Sequence, residues 1–200
     1  MVAITGASGA AYGVRILELL HTAPDVETHL VVTSSGALTL RQELDRDLDS
    51  LTPLVDVLHR PGNIGATIAS GSFTTVGMVV APCSIKTLSA VASSYSDGLA
   101  SRAADVTLKE GRPLVLLVRE SPLHLGHLRL MTQAAEAGAV IAPPVPAFYA
   151  RPQTVEDIVD HTARRALARL GLDDLAAPEW PGLVADRISR NGVAPAGGPR

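Results

Sequence analysis

Short runs of apolar and β-branched residues alternate with longer segments of helical spacing along this 200-residue chain. The short runs are too uniformly apolar to have one solvent-exposed face. This predicts strands that are buried on both sides of a parallel sheet. Strands that alternate with helices favour a three-layer α/β fold, Rossmann-like or flavodoxin-like, with right-handed crossovers. The predicted strands span residues 2–5, 29–33, 76–81, 113–118 and 139–141, and the predicted helices span 12–20, 85–92, 102–110, 124–137 and 155–170.

The pattern weakens in two places, and neither predicts a second domain. Residues 45–65 are polar and contain prolines, so we interpret them as a variable surface excursion. Residues 192–200 are rich in glycine, proline and alanine, a composition that buries too little apolar area to become ordered. The sequence therefore predicts one domain over residues 1–182 and a flexible tail over 183–200.

Composition excludes several classes of function. The 17 basic and 20 acidic residues leave a formal charge of -3, which gives no global electrostatic reason to expect nucleic acid as a partner. Cys83 is the single cysteine, so an intramolecular disulfide and a cysteine-rich zinc site are excluded, and a reducing cytoplasm fits. No apolar run approaches the ~20 residues of a membrane span. His124 and His127 are the one close histidine pair, without an acidic residue at ligand spacing, so no metal is expected.

A glycine-rich turn over residues 5–13 follows the first predicted strand and opens the first helix. Its glycines allow close approach to a ligand, and the free N–H groups of a helix start favour phosphate. The spacing differs from the G-x-G-x-x-G dinucleotide fingerprint, and such turns also serve tight packing alone. Both interpretations stay open for this segment.

A second turn, residues 81–87, leaves the third predicted strand and enters another helix. Ser84 is suited to cap that helix, so a plain capping turn is one interpretation. Two such turns after neighbouring strands would instead gather the hydroxyls of Ser8, Ser84 and Thr87 around one crevice. Ligands in open α/β sheets bind at that edge, near the point where strand order reverses. Cys83 has no activating partner in the sequence and is expected to be inert.

Charged residues follow in two groups. Arg102, Asp105 and Lys109 have the spacing of a surface network on a helix, worth about 0.2 to 0.5 kcal/mol per pair. Arg119 and Glu120 directly follow the strongly apolar run 114–118, so they are expected to face the crevice.

The segment 143–152 contains four prolines and is predicted to be a stiff loop that holds Tyr149 in place. Arg165 lies on the following predicted helix. It is either solvated, like its arginine neighbours, or a clamp for phosphate.

These segments, in this order, resemble the UbiX family of flavin prenyltransferases, which includes the small subunits of phenolic-acid decarboxylase systems. The resemblance runs from about residue 2 to Trp180. It rests on residues 6–9, 71–73, 81–89, 102–105, 109–110, 119–120, 124–128 and 143–149.

The resemblance implies a role for each matched position. Residues that would contact FMN are Gly6, Ala7, Ser8, Thr33, Ser84, Ile85, Lys86, Thr87 and Arg119. Tyr149 and Arg165 would hold dimethylallyl phosphate, helped across a subunit interface by Arg102, Lys109 and Glu120. Glu43, on a helix after the second strand, matches the family's residue for proton transfer, and Trp180 matches its aromatic near the prenyl group. The catalytic set implied is Glu43, Lys109, Glu120, Tyr149 and Trp180.

The implied activity joins a dimethylallyl group to N5 and C6 of reduced FMN. The prenylated FMN would pass to a UbiD-type decarboxylase, in ubiquinone biosynthesis or in aromatic acid decarboxylation. Family members form homo-oligomers, dodecamers built from trimers. The sequence leaves open whether Glu43 or the released phosphate accepts the ring proton.

Two alternatives compete with this activity. Flavin-dependent cysteine decarboxylases share the fold but carry an asparagine in the turn after the third strand, where this chain has Ser84 and Ile85. The other alternative is a non-catalytic flavin carrier subunit of an aromatic acid decarboxylase. The retained Glu43, Arg119, Tyr149 and Arg165 argue against such a carrier.

Overall fold

The apolar runs form a six-stranded, all-parallel sheet in the computed structural model, in which residues 1–177 are described. The strand order is β3-β2-β1-β4-β5-β6, which confirms the predicted parallel α/β fold. The strands are β1 Val2–Ile4, β2 His29–Val32, β3 Val57–His59, β4 Met78–Cys83, β5 Leu114–Val118 and β6 Val140–Ile141.

Helices cover both faces of this sheet and make the outer two layers. They are α1 Ala10–His21, α2 Ser34–Leu44, α3 Ile85–Ala92, α4 Leu99–Lys109, α5 Leu125–Glu136 and α6 Val155–Ala168. One face packs against α1 and α6, and the other against α3, α4 and α5. Successive residues of β1 alternate between the two cores, with Val2 and Ile4 in one and Ala3 in the other. This is why the strand sequences are apolar at every position.

The interpretation of residues 45–65 as a surface excursion was wrong. Val57–His59 forms the edge strand β3, which pairs with β2 in parallel. The turn that precedes it buries Leu51 completely in the core. A half-buried strand of three residues produces too short an apolar pattern to be recognised among polar neighbours.

The third predicted strand, residues 76–81, corresponds to β4 and was placed two residues too early. β4 continues through Pro82 to Cys83, and its pairing with β5 shifts register between Val80 and Cys83. The predicted tail and the boundary at residue 182 lie outside the described residues. Among residues 1–177, no helix is long and apolar enough to cross a membrane.

Candidate functional site

The strand order reverses between β1 and β4, the two central strands. The chain leaves β1 toward α1 on one face of the sheet and leaves β4 toward α3 on the other face. A crevice therefore opens between the two loops at the carboxyl edge of the sheet.

Thr5 joins these two loops. Its hydroxyl donates to the Pro82 carbonyl oxygen at 2.7 Å and accepts from the Ser84 amide at 2.8 Å. The residue is 1% exposed. Local sequence pattern does not reveal this role of Thr5, because its two hydrogen bonds join positions nearly eighty residues apart.

A cavity of about 380 Å³ lies beside this connection, where α2, α3 and α4 begin. Thr33 caps α2, accepting from the Gly36 amide at 3.1 Å, and Ser84 caps α3, accepting from the Thr87 amide at 3.3 Å. Gly98, which caps α4, provides no side chain for this purpose. Three helix starts around one cavity present N–H groups and positive dipole ends, the environment that a phosphate group favours.

Five of the predicted FMN contacts line this cavity: Gly6, Thr33, Ser84, Lys86 and Thr87. Several other lining residues were not predicted: Ser34, Ser35, Pro61, Gly62, Asp97 and Ser101. The paired serines after Thr33 were a usable signal, since they open a helix directly after a buried strand. Pro61 and Gly62 were missed because residues 45–65 were interpreted as surface.

Glycine is required at position 6 because the loop after β1 presses against the start of α2. A Cβ atom on Gly6 would lie 2.3 Å from the Cβ of Ser35. The side chain of Ser35 occupies the space that a larger residue at position 6 would need, so tight packing of the loop against α2 accounts for the glycine.

Lys86 brings a positive charge to the lining of this cavity. Its Nζ atom lies 3.2 Å from an oxygen of Asp97, and its side chain is 83% exposed. The hydrogen bond from Lys86 lowers the pKa of Asp97. The ammonium group is therefore paired, yet it sits on a mobile stem that a phosphate can recruit.

Glu43 occupies the start of α1. Its carboxylate accepts from the amides of Gly9 and Ala10, each at 2.9 Å. Gly9 is the N-cap residue of α1, with a φ of 104°, and it has no side chain that could cap the helix. The carboxylate of Glu43, from α2, caps the helix in its place. The phosphate predicted for this turn would compete with Glu43, whereas the caps of α2 and α3 are the hydroxyls of Thr33 and Ser84; at the start of α4 the Asp97 carboxylate accepts from the Ser101 hydroxyl at 3.2 Å and pairs with Lys86.

Burial alone would raise the pKa of Glu43, but other interactions outweigh it. Hydrogen bonds from the Ser8 side chain and from the Ala10 and Gly9 amides, together with the charge of Arg119, lower the pKa below its ordinary value. Glu43 is therefore ionised at neutral pH. Ser8 and Arg119 thus both interact with Glu43, the predicted proton acceptor. The backbone of Arg119 is held at the end of β4, because its amide donates to the Cys83 carbonyl oxygen at 3.1 Å.

The remaining predicted FMN contacts lie at the ends of the same elements. Ala7 is buried in the loop before α1, and Ile85 is the first residue of α3. Tyr12 was not predicted. Burial raises the pKa of its phenol, and the charge of Arg119 opposes that rise, so the two side chains interact electrostatically.

A second cavity, of about 530 Å³, lies between the proline-rich loop and α6. Tyr149 and Arg165 both line it, as do the ends of β5 and β6, so it belongs to the same edge of the sheet. The Tyr149 hydroxyl lies 3.4 Å from Nε2 of His161, another lining residue that the sequence analysis missed. His161 could have been predicted as a lining residue, because it lies four residues before Arg165 and therefore on the same face of the helix.

Arg102 and Lys109 do not line either cavity within the chain. Arg102 pairs with Asp105 at 3.0 Å and donates from Nε to the Ala69 carbonyl oxygen at 3.2 Å. Lys109 contacts Glu110 beside Gly71. Arg102 therefore holds the loop at Ala69 on this subunit, whereas Lys109 pairs with its own neighbour Glu110.

The other predicted residues contribute less to the described site. Glu120 is exposed, and its carboxylate accepts from the Ser121 amide at 2.9 Å. Trp180 lies outside the described residues. Burial raises the pKa of Cys83 to about 12, which agrees with an inert thiol. The rings of His124 and His127 contact each other, and residues 1–177 hold no group of three metal-ligating side chains.

Comparison with known proteins identifies the fold family. A family model described as Flavoprotein matches residues 1–167. The flavin prenyltransferase UbiX of Escherichia coli K12 is 57% identical over 185 residues, which are 91% of this chain and 97% of that protein.

Two solved structures resemble the chain closely. The structure of AnUbiX (PadA1), in complex with FMN and dimethylallyl pyrophosphate, has a TM-score of 0.87 and 44% identity, and the alignment covers 91% of this chain and 96% of that one. A dodecameric FMN-dependent UbiX-like decarboxylase from Escherichia coli O157:H7 has a TM-score of 0.86 and 46% identity, over 91% of this chain and all of that one.

The reversed strand order, the helix starts around one cavity and the family model together define an α/β flavoprotein. Within that class, the chain belongs to the UbiX family of flavin prenyltransferases. The resemblance inferred from the sequence is confirmed, and so is the predicted class of enzyme, a prenyltransferase.

Proposed function

We propose that this chain transfers a dimethylallyl group from dimethylallyl phosphate to N5 and C6 of reduced FMN. The observation that carries the proposal is the position of two cavities on one sheet edge. One is bounded by three helix starts, and the other contains Tyr149 and Arg165. The AnUbiX structure in complex with FMN and dimethylallyl pyrophosphate supports the same ligands for this chain.

FMN binds in the first cavity in this proposal. The starts of α2, α3 and α4 and the hydroxyls of Thr33, Ser84 and Thr87 hold its phosphate, and Gly6 lines the same cavity. When bound and reduced, FMN supplies the nucleophilic ring atoms that take up the prenyl group.

Arg165 and Tyr149 act on the prenyl donor. The carbon–oxygen bond of dimethylallyl phosphate breaks, and its electron pair leaves with the phosphate. The Arg165 guanidinium stabilises the charge that develops on the phosphate, through charge-assisted hydrogen bonds. The face of the Tyr149 ring favours the positive charge that develops on the allyl group.

Glu43 accepts the ring proton at its carboxylate in this proposal. Glu43 is ionised at neutral pH and so can accept a proton, and its contacts with the Gly9 and Ala10 amides hold the carboxylate beside the loop after β1. The released phosphate is the competing acceptor.

The proposal extends to assembly and location. The chain forms homo-oligomers, and we propose a dodecamer like the Escherichia coli O157:H7 relative. Arg102, Lys109 and Glu120 then act on the site of a neighbouring subunit, which accounts for their distance from both cavities within one chain. The prenylated FMN passes to a UbiD-type decarboxylase in the cytoplasm.

The test is an anaerobic incubation of the purified chain with reduced FMN and dimethylallyl phosphate. The expected result is a flavin whose mass has increased by one dimethylallyl group, with release of phosphate. Unmodified FMN after prolonged incubation would refute the proposal. Substituting FMN by riboflavin is a matched control, because riboflavin lacks the phosphate that the helix starts would bind.

A second candidate is decarboxylation, because the Escherichia coli O157:H7 relative is named an FMN-dependent decarboxylase. The pure chain should release no CO₂ from aromatic acids if it only supplies the cofactor. Sustained CO₂ release, without added UbiD-type protein, would favour this second candidate.

A further inference from the structure

His161 and Arg165 lie one turn apart on α6, on the face that lines the second cavity with Tyr149. Residues four apart on a helix are neighbours in space. Arg165 already has a place in the proposed function as the phosphate clamp. His161 has none, although it lines the same cavity and its Nε2 lies 3.4 Å from the Tyr149 hydroxyl.

The contact between His161 and Tyr149 has a defined geometry. The phenol oxygen lies 3.4 Å from Nε2 of the imidazole, and the ring centroids are 5.8 Å apart at an interplanar angle of 83°. The two rings therefore meet edge to face, a favourable arrangement for aromatic pairs. The polar distance is at the long end of hydrogen bonding, as is common before a ligand binds.

Helix α6 is the fixed partner in this contact. Its start is closed by a capping box, in which Thr154 and Asp157 bond each other's backbone amides. Asp160, the residue before His161, accepts hydrogen bonds from Arg15 of α1 and from Arg164, each at 2.8 Å. His161 therefore projects from an anchored helix toward a tyrosine on a loop.

We propose that His161 is a positioning residue for Tyr149, an inference that rests on the proposed function. Its Nε2–H group donates to the phenol oxygen. The phenol hydroxyl is thereby directed to donate to the phosphate of the prenyl donor.

The direction of these hydrogen bonds follows from donor and acceptor capacity. A phenol has one proton to donate, and phosphate oxygens at neutral pH mainly accept. If Tyr149 donated to His161, it would have no proton left for the phosphate. A hydrogen bond from Nε2 to the phenol oxygen avoids this conflict, and it also polarises the hydroxyl and strengthens its own donation.

The test replaces His161 by leucine, glutamine and asparagine. His161→Leu removes the donor and should raise the KM for dimethylallyl phosphate by about 2- to 12-fold, the effect of one net hydrogen bond. His161→Gln should restore the wild-type KM, because its amide nitrogen reaches about as far as Nε2. His161→Asn should not, because its amide reaches only the position of Nδ1. The kcat and the affinity for FMN should change less than the KM.

Two further measurements separate positioning from a general structural role. In a Tyr149→Phe background, His161→Leu should have no additional effect on KM, because no hydroxyl remains to direct. Inorganic phosphate, titrated calorimetrically into the FMN-loaded protein, should bind more weakly to His161→Leu than to wild type, by a similar factor. His21→Leu, at the far end of α1, is the control for loss of an exposed histidine.

The inference would be overturned by a wild-type KM in His161→Leu, or by an equal effect of that substitution with and without the Tyr149 hydroxyl. Failure of the proposed function would look different, since wild type would then form no prenylated flavin. The phosphate titration would still decide whether His161 acts through Tyr149.

Discussion

Glu43→Gln is the substitution that best separates binding from chemistry at this site. The carboxylate of Glu43 accepts from the Gly9 and Ala10 amides at 2.9 Å and interacts with the Ser8 side chain. Glutamine has nearly the same shape and keeps one oxygen acceptor. It loses the negative charge and the capacity to accept a proton from the ring.

The structural cost of this change is small. Loss of a helix cap costs about 0.5 to 2 kcal/mol, and glutamine keeps part of the cap, so we expect the free energy of unfolding to fall by about 1 kcal/mol. A domain of this size then melts about 2 to 4 °C lower. With a total stability of about 5 to 15 kcal/mol, more than 99% of the variant remains folded.

The catalytic cost is expected to be much larger. Removing a general acid–base group slows a reaction by about 10² to 10⁴. A loss of 1 kcal/mol in stability cannot produce such a rate effect in a folded enzyme. Formation of prenylated FMN, followed by mass under anaerobic conditions, should therefore collapse in Glu43→Gln, while calorimetry shows FMN affinity within a few-fold of wild type.

Glu18→Gln is the matched control. Glu18 is a half-buried carboxylate on α1 that pairs with Arg15 at 3.1 Å, away from the crevice. Its loss should lower stability by no more than about 1 kcal/mol and leave the rate unchanged. An unimpaired rate in Glu43→Gln would refute our reasoning, assign proton transfer to the released phosphate and leave Glu43 as a helix cap.

The pH dependence of stability gives a separate check on Glu43. Because folding lowers the pKa of Glu43, its contribution to stability is present above the ordinary pKa of 4.5 and disappears as pH falls through the folded-state pKa. The difference in melting temperature between wild type and Glu43→Gln should therefore narrow in acid. A constant difference from pH 7 to pH 3 would contradict the lowered pKa.

Three further predictions concern the two cavities and the core. Arg165→Ala should weaken binding of dimethylallyl phosphate by about 10- to 150-fold, which corresponds to the loss of one charge-assisted hydrogen bond, while the affinity for FMN measured by calorimetry should be nearly unchanged. Equal losses of affinity for both ligands would contradict separate sites. Gly6→Ala should reduce FMN affinity and melting temperature, since its Cβ would lie 2.3 Å from that of Ser35, and wild-type values would show that the loop can move aside. Cys83, with a pKa raised to about 12, should resist a thiol reagent at pH 8 until denaturant is added, and rapid labelling of the native protein would contradict its burial.

Local patterns predicted the elements that are long and strongly apolar. The helix Ile85–Ala92 was predicted with its correct bounds, because Ser84 marks its start and a buried strand precedes it. The edge strand Val57–His59 was missed, since three half-buried residues do not produce a recognisable period. Helix starts and glycine turns also indicated the crevice, because parallel strands place their carboxyl ends at one edge.

Contacts between distant positions could not be predicted from local pattern. The bonds of Thr5 to Pro82 and Ser84, and the capping of α1 by Glu43, depend on how the strands are ordered in space. The roles proposed for Arg102 and Lys109 require contacts with a second subunit, which are absent from a single chain.

The hydroxyl of Thr5 has a consequence for how the site meets its ligand. By bonding both the carbonyl of Pro82 and the amide of Ser84, it holds the two central loops at a fixed separation before any flavin arrives. Loops already ordered lose little conformational entropy on binding, so more of the interaction energy appears as affinity. The enzyme thus meets FMN with a preformed receptor at the centre of the sheet.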